Sequence, residues 1–214
     1  MIEIESRELA DIPVLHAYPV GQKDTPLPCV IFYHGFTSSS LVYSYFAVAL
    51  AQAGLRVIMP DAPDHGSRFS GDAARRLNQF WQILLQSMQE FTTLRAAIAE
   101  ENTENSVSFT ISDRSCISLI PETTAQQNEF NNIVAPLAEW EATNHLEQLS
   151  DRPLLLWHGL DDDVVPADES LRLQQALSET GRDKLLTCSW QPGVRHRITP
   201  EALDAAVTFF RQHL

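Results

Sequence analysis

The sequence predicts an α/β domain on a largely parallel sheet, and three observations carry that expectation. Short apolar runs at Cys29–Tyr33, Leu55–Met59 and Pro153–Trp157 have the length and character of strands buried on both faces. Between them lie segments whose apolar residues recur every three or four positions, the period of an amphipathic helix. Strand, helix, strand across residues 29–59 is moreover a βαβ unit, the building block of parallel sheets.

Taken in order, Ile2–Ser6 and part of Ile12–Val20 alternate apolar and polar residues, which predicts an N-terminal hairpin turning near Ala10-Asp11. A polar loop with prolines, Gly21–Pro28, leads into the Cys29–Tyr33 strand. Ser38-Ser39-Ser40 offers capping hydroxyls for a helix carrying Leu41, Tyr45, Phe46, Ala49, Leu50 and Ala53, with Gly54 as its stop. Leu55–Met59 is the next strand, ended by Pro60. Asp72–Asn102 is the longest helical pattern, with Leu77, Phe80, Trp81, Leu84, Leu85, Met88, Phe91, Leu94 and Ile98 on a core-facing stripe.

Residues 103–118 break this style. They are rich in Ser, Thr and Asn, with one alternating piece, Val107–Ile111. Glu122–Leu149 is loosely helical, read as two helices broken at Pro136 and as a candidate lid. Pro153–Trp157 is a buried-type strand, Asp168–Ser178 a helix stopped by Gly181, and Leu185–Trp190 a strand. Thr199-Pro200-Glu201 announces the last helix: a hydroxyl cap, a proline in the first turn and an acid at the positive dipole end. With no internal repeat and no long linker, the expectation is a single domain over residues 1–214.

Composition narrows the function classes. The formal net charge of −13 disfavours nucleic acid and anionic membrane surfaces as partners. No stretch approaches the roughly 18 consecutive apolar residues of a membrane span. The start Met1-Ile2-Glu3-Ile4-Glu5 is acidic and alternating, unlike an export signal, and Cys29, Cys116 and Cys188 are sparse and far apart. Together these predict a reduced, cytoplasmic protein.

Functional residues in such sheets collect at the carboxyl ends of the strands. Three strand ends carry suitable residues. Tyr33-His34-Gly35-Phe36-Thr37 could turn sharply and present N–H groups to a developing oxyanion, although a simple turn has the same look. His158-Gly159-Leu160-Asp161-Asp162-Asp163-Val164-Val165-Pro166 places carboxylates where one could orient an imidazole; a solvated acidic loop is the plainer reading, and the EF-hand spacing for calcium is missing. Gly193–Ile198, between the last strand and the last helix, holds His196 where a general base would sit. Oxyanion-type loop, then acid, then histidine is the chain order of a hydrolase triad, with the nucleophile expected between the first two.

On these residues, and on Asp61-Ala62-Pro63-Asp64-His65-Gly66-Ser67, the chain resembles the small α/β-hydrolases related to dienelactone hydrolases and prolyl-oligopeptidase catalytic domains. The resemblance covers roughly residues 1–102 and 119–214. It implies an α/β-hydrolase-like sheet flanked by helices and hydrolysis of carboxylic esters through an acyl-enzyme, with a small-molecule ester as substrate and no cofactor. It places the triad acid on Asp162, within His-Gly-x-x-Asp-x-x-Val-Pro, and the base on His196. One oxyanion donor falls on the backbone N–H of Phe36, and His34, Gly35 and His65 fall on loops that shape the pocket, His65 in a structural role. Asp161 and Asp163 occupy variable positions.

The same resemblance requires a nucleophile in Gly-x-Ser-x-Gly, where the flanking glycines permit a strained turn and a close helix. No glycine lies between Gly71 and Gly159, and neither Gly-x-Ser-x-Gly nor Gly-x-Cys-x-Gly occurs anywhere. Residues 103–118 are too few for the strand, elbow, helix and following strand expected there. The sequence therefore predicts a hydrolase sheet truncated in its centre, by internal deletion with some out-of-frame sequence, with no nucleophile and little or no esterase activity. Ser115 and Cys116 stand in roughly the right place without the glycine neighbours. Val107–Ile111 is the segment available to fill the sheet. The alternative is a non-catalytic hydrolase remnant or binding protein. A metal-dependent hydrolase using His34, His65, His158 and the aspartates lacks close ligand spacing, so no metal is expected.

Overall fold

The computed structural model describes residues 1–101, 104–111, 131–132 and 135–214. The chain forms two compact units, Met1–Ser115 with Phe210–Gln212 and Leu214, and Cys116–Phe209 with His213.

In the first unit, β1 (Ile2–Leu9) and β2 (Ile12–Pro19) form the expected hairpin. Ala10 and Asp11 both take positive φ, 52° and 61°, the twist that two-residue hairpin turns favour. β3 (Leu27–Tyr33), β4 (Arg56–Pro60) and β5 (Glu104–Ile111) complete a five-stranded sheet in the order β1-β2-β4-β3-β5. β2 runs antiparallel to β1 and β4, whereas β3 is parallel to both β4 and β5. β5 therefore takes the place beside β3, pairing Cys29 with Val107 through Tyr33 with Ile111.

Both faces of this sheet are covered, as the unbroken apolar runs require. Cys29, Ile31 and Ile58 cluster with Leu9, Ile12 and Val14 and with Leu94 and Ile98 of α3 (Phe80–Glu100). On the alternate residues, Phe32 stacks on Phe46 of α1 (Ser44–Gln52), ring centroids 4.5 Å apart.

Two expectations need correction, and one residue was not anticipated. The Ser38–Ser40 hydroxyls do not cap α1, which begins after Tyr43 with no side-chain cap; Ser39 Oγ instead accepts from the Val42 N–H and Ser40 N–H donates to Asp61. The pattern across 72–102 is two helices, α2 (Ala73–Asn78), capped by Asp72, and α3, with the break at Gln79. The helical period runs through the break unchanged, which is why it reads as continuous, and Leu77 ends up exposed. Finally, the first residue of β4 is a fully buried arginine, Arg56.

In the second unit, β6 (Leu154–Gly159) pairs in parallel with β7 (Leu186–Gln191), and α5 (Asp168–Glu179) is their crossover. α6 (Pro200–His213) starts as its sequence announces, with Thr199 Oγ1 accepting from the Ala202 N–H at 3.2 Å. Of the lid expected over 122–149, residues 122–130 and 133–134 lie outside the described residues. Ala135–Trp140, which contains Pro136, and Ala142–Asn144 are 3₁₀ turns, and α4 is Leu146–Ser150. Among the described residues, no helix is long and apolar enough to cross a membrane.

Candidate active site

The first unit contributes two loops at the carboxyl ends of β3 and β4. Asp61, directly after β4, is buried and ties them together: Oδ1 accepts from Ser40 N–H, and Oδ2 accepts from both Ser67 N–H and Ser67 Oγ, each at 2.9 Å. Burial alone would raise its pKa; these donors outweigh that and hold the carboxyl below the usual aspartate range. Gly66 makes the contact possible. Its φ is 51°, and a Cβ there would lie 2.3 Å from the Asp61 carboxyl.

Two buried histidines cross-link the same loops with their tautomers fixed. The His34 Nε2 accepts from Ala62 N–H (3.1 Å), so its Nδ1 proton donates to Gly35 C=O (2.8 Å). Likewise His65 Nε2 accepts from Thr37 N–H (2.9 Å) and Nδ1 donates to Pro63 C=O (2.8 Å). Burial pushes both pKa values down, His65 to about 4, so these imidazoles are neutral struts whose lone pairs are already used. Phe36 lies edge-on to His65 and to Phe80, each 4.8 Å between ring centroids. Thr37 is held at φ 67°, and among the described residues the Phe36 N–H has no acceptor.

The second unit brings two loops together after β6 and β7. Gly159 ends β6 so close to the β7 loop that a Cβ would sit 2.4 Å from the Val194 carbonyl oxygen. Asp161 N–H donates to that same carbonyl. Three consecutive aspartates then reach across. Asp161 accepts from Gly193 N–H, Asp162 meets His196, and Asp163 forms a fork with Arg195. Asp161 and Asp163, treated as variable from the sequence, thus both bind the loop that carries the histidine.

Asp162 is the most constrained of the three. Oδ1 accepts from Val164 and Val165 N–H (2.9 and 2.8 Å), and His196 Nδ1 lies 3.1 and 2.9 Å from its two oxygens. Its side chain is 8 % exposed. Burial opposes ionisation, but the Val165 N–H, His196 and the Val164 N–H outweigh it and lower the pKa. An ionised Asp162 fixes the His196 proton on Nδ1 and leaves the basic lone pair on Nε2. His158, one residue before Gly159, supports the loop: Nε2 donates to Val165 C=O and Nδ1 accepts from Ser170 Oγ, each at 2.9 Å.

From the sequence Asp61 is only the first residue of the Asp61–Ser67 motif and His158 only the head of the acid loop and a metal-ligand alternative; the loop-tying role of each is not foreseen. An acid immediately after a buried strand was the available signal for Asp61, and the position just before the strand-end glycine for His158. Ser115 and Cys116 lie outside the described residues. Among the described residues, no group of three or more His, Cys, Asp or Glu could hold a metal ion.

Comparison with known proteins gives the family and the fold. Residues 95–214 match the model of the prolyl oligopeptidase family. Esterase YjfP of Escherichia coli (strain K12) is 81% identical over 249 aligned positions that cover 100% of both chains. That alignment has about 35 more positions than this chain has residues. Among solved structures, TT1662 from Thermus thermophilus superposes with a TM-score of 0.76 at 17% identity, covering 99% of this chain and 98% of its own. A cold-adapted esterase from an Arctic intertidal metagenomic library gives 0.64 at 18%, covering 100% and 94%. Such identities establish the α/β-hydrolase fold, and the family match with the full-length identity establishes more: the chain belongs to the prolyl oligopeptidase family, among its esterases.

Proposed function

We propose that this chain carries the acid–base half of a serine carboxylesterase and lacks the nucleophile that would complete it. The observation that carries the reading is the Asp162–His196 pair, with the carboxylate pinned by two backbone N–H groups and the imidazole oriented by a 2.9 Å hydrogen bond. In the full reaction, a serine would attack a small carboxylic ester while His196 Nε2 took its proton. Asp162 would stabilise the imidazolium, and the Phe36 N–H would hold the oxyanion.

Three features support the absence of the first step. No Gly-x-Ser-x-Gly occurs in the sequence, no glycine lies between Gly71 and Gly159, and the alignment with esterase YjfP leaves about 35 positions with no residue of this chain opposite. We place that gap at residues 103–118, where the composition changes. The loss extends beyond one hydroxyl: the residue after the nucleophile also supplies the second oxyanion donor, and one such donor accounts for about 3–4 kcal/mol of transition-state stabilisation in a well-studied protease.

The test is intact mass of the folded protein after treatment with a fluorophosphonate, with p-nitrophenyl acetate turnover in parallel. No adduct and no turnover sensitive to His196→Ala is expected from protein with a cooperative melt. A single mapped serine adduct would overturn the missing-nucleophile reading. Histidine-dependent turnover without an adduct would point to Cys116 or another route.

A further inference from the structure

His196 is carried to Asp162 by a loop with little structure of its own. Residues 192–198 join β7 to the cap of α6, and their ends are tied down. Leu160 N–H donates to Gln191 C=O at 2.9 Å, and Thr199 Oγ1 donates to Gln191 Oε1 at 3.0 Å. Between these ends, Arg197 N–H donates to Arg195 C=O at 2.7 Å, a three-residue turn centred on His196. That turn shapes the backbone at the histidine but does not hold it against the acid loop. The tolerance is small: His196 Nδ1 lies 2.9 Å from Asp162 Oδ2, so a displacement of about 1 Å takes the pair out of hydrogen-bond range.

The two aspartates that flank Asp162 both reach this loop, by different means. Asp161 grips backbone at two adjacent residues: its own N–H donates to Val194 C=O at 3.1 Å, and its Oδ2 accepts from Gly193 N–H. Gly193 is held at φ 75°, so the reversal of the loop and the grip fall on the same residue. Among the described residues, these two bonds are the ones that join the backbone of 192–198 to the acid loop. Asp163 instead meets the Arg195 guanidinium, through Nε at 3.2 Å and through Nη2. Those side chains are 50 and 71 % exposed, so water screens the pair, and the rotatable arginine stem leaves the backbone free to move.

We infer that Asp161, and not Asp163, is a positioning residue for the base: by holding Gly193 and Val194 it sets where His196 meets Asp162, its carboxylate serving as a hydrogen-bond acceptor for a neutral backbone N–H. The inference rests on the reading of Asp162 and His196 as an acid–base pair. It needs no nucleophile, so the chain as it stands can test it.

The experiment is ¹H and ¹⁵N NMR of the histidine rings of the whole protein at pH 7.5, with His196→Ala to assign the signal, reading the His196 Nδ1 proton and its exchange with solvent. Asp161→Ala should speed that exchange by at least about tenfold, the scale of one lost hydrogen bond to a charged group. Asp161→Asn, whose amide oxygen still accepts from Gly193 N–H, and Asp163→Ala should each stay within a factor of about three of the parent. Asp161 is exposed, so these variants leave the buried core intact. A parent protein with the His196 proton on Nε2 would overturn the acid–base reading and this inference with it. With the parent proton on Nδ1, three results would overturn the positioning role alone: exchange in Asp161→Ala no faster than in the parent, Asp161→Asn as fast as Asp161→Ala, or an equal effect from Asp163→Ala.

Discussion

Replacing Arg56 with methionine tests how the first unit holds its N-terminal hairpin. The guanidinium is 1 % exposed and donates to His16 Nε2 at 2.7 Å and to the carbonyls of Gln22, Lys23 and Thr25 at 3.2, 2.7 and 2.8 Å. It thereby fastens the β2–β3 loop onto β4. Two effects compete on substitution. Burying a charge costs desolvation, so exchanging a whole buried polar cluster for apolar residues is often neutral. Here only the donor leaves, while three carbonyls and one imidazole nitrogen remain without it. Removing one partner of such a network costs about 3–5 kcal/mol, so the second effect wins. For a chain of this size that is a fall in Tm of roughly 6–20 °C. Thermal melting by circular dichroism at pH 7.5 reads it. A melt within 2 °C of the parent protein would refute the idea that Arg56 holds the loop.

Four further outcomes follow from the geometry. His16 and His65 are buried and pushed down to about 4, chiefly by burial, so the folded state takes up their protons later than the unfolded chain does. Their contribution to stability is full above pH 6.5 and is lost as the pH falls toward 4, on the order of 3 kcal/mol per group; urea midpoints at pH 7.5, 6 and 4.5 should fall in that order, and a flat series contradicts the assignment. Gly66→Ala puts a Cβ into the Asp61 carboxyl at a positive φ and should cost about 2–4 kcal/mol in a melt; an unchanged Tm would show that the loop yields without cost. Gly159→Ala should separate the two loops of the second unit, and a His196 ring ¹⁵N spectrum identical to the parent's would count against it. In Asp162→Asn, the oxygen stays on Val164 and Val165 while the amide turns its N–H to the imidazole. The His196 proton should then move to Nε2, and ring ¹⁵N shifts still showing it on Nδ1 would mean that the carboxylate does not set the tautomer.

Much of this was legible in the sequence because the physics was local or periodic. Cys29–Tyr33 reads as a doubly covered strand and is one, with Ile31 facing the α3 side and Phe32 the α1 side. Thr199-Pro200-Glu201 reads as a helix start because capping is decided within four residues. The meeting of Asp162 with His196 was legible from chain order, since each follows a strand and the sequence resemblance pairs those two positions. Arg56 was not, because one charged residue in a five-residue strand leaves the apolar pattern intact, and its compensation lies in carbonyls some thirty positions earlier. The Gln79 break was hidden for a different reason: neither proline nor glycine marks it, and the stripe resumes in phase. Nor could spacing reveal that Asp161 and Asp163 both reach the 193–195 loop, because that depends on how closely Gly159 lets two backbones approach.

β5 occupies the outer position of its sheet, paired with β3 on one side and with no second strand among the described residues. Every second N–H and C=O of such a strand points outward, ready to extend the ladder with another chain. Proteins blunt such edges with lysine, proline or a bulge; Glu104–Ile111 has neither lysine nor proline, a single charge at its first residue, and one register irregularity confined to its start, before Val107. Its apolar Val107, Phe109 and Ile111 alternate with small polar residues, the pattern of a strand that pairs readily. Recovery of this chain in soluble form should therefore depend steeply on concentration. A lysine introduced within the strand, or early engagement by a chaperone, acts on that edge directly, whereas improving the already well-packed core would leave it untouched.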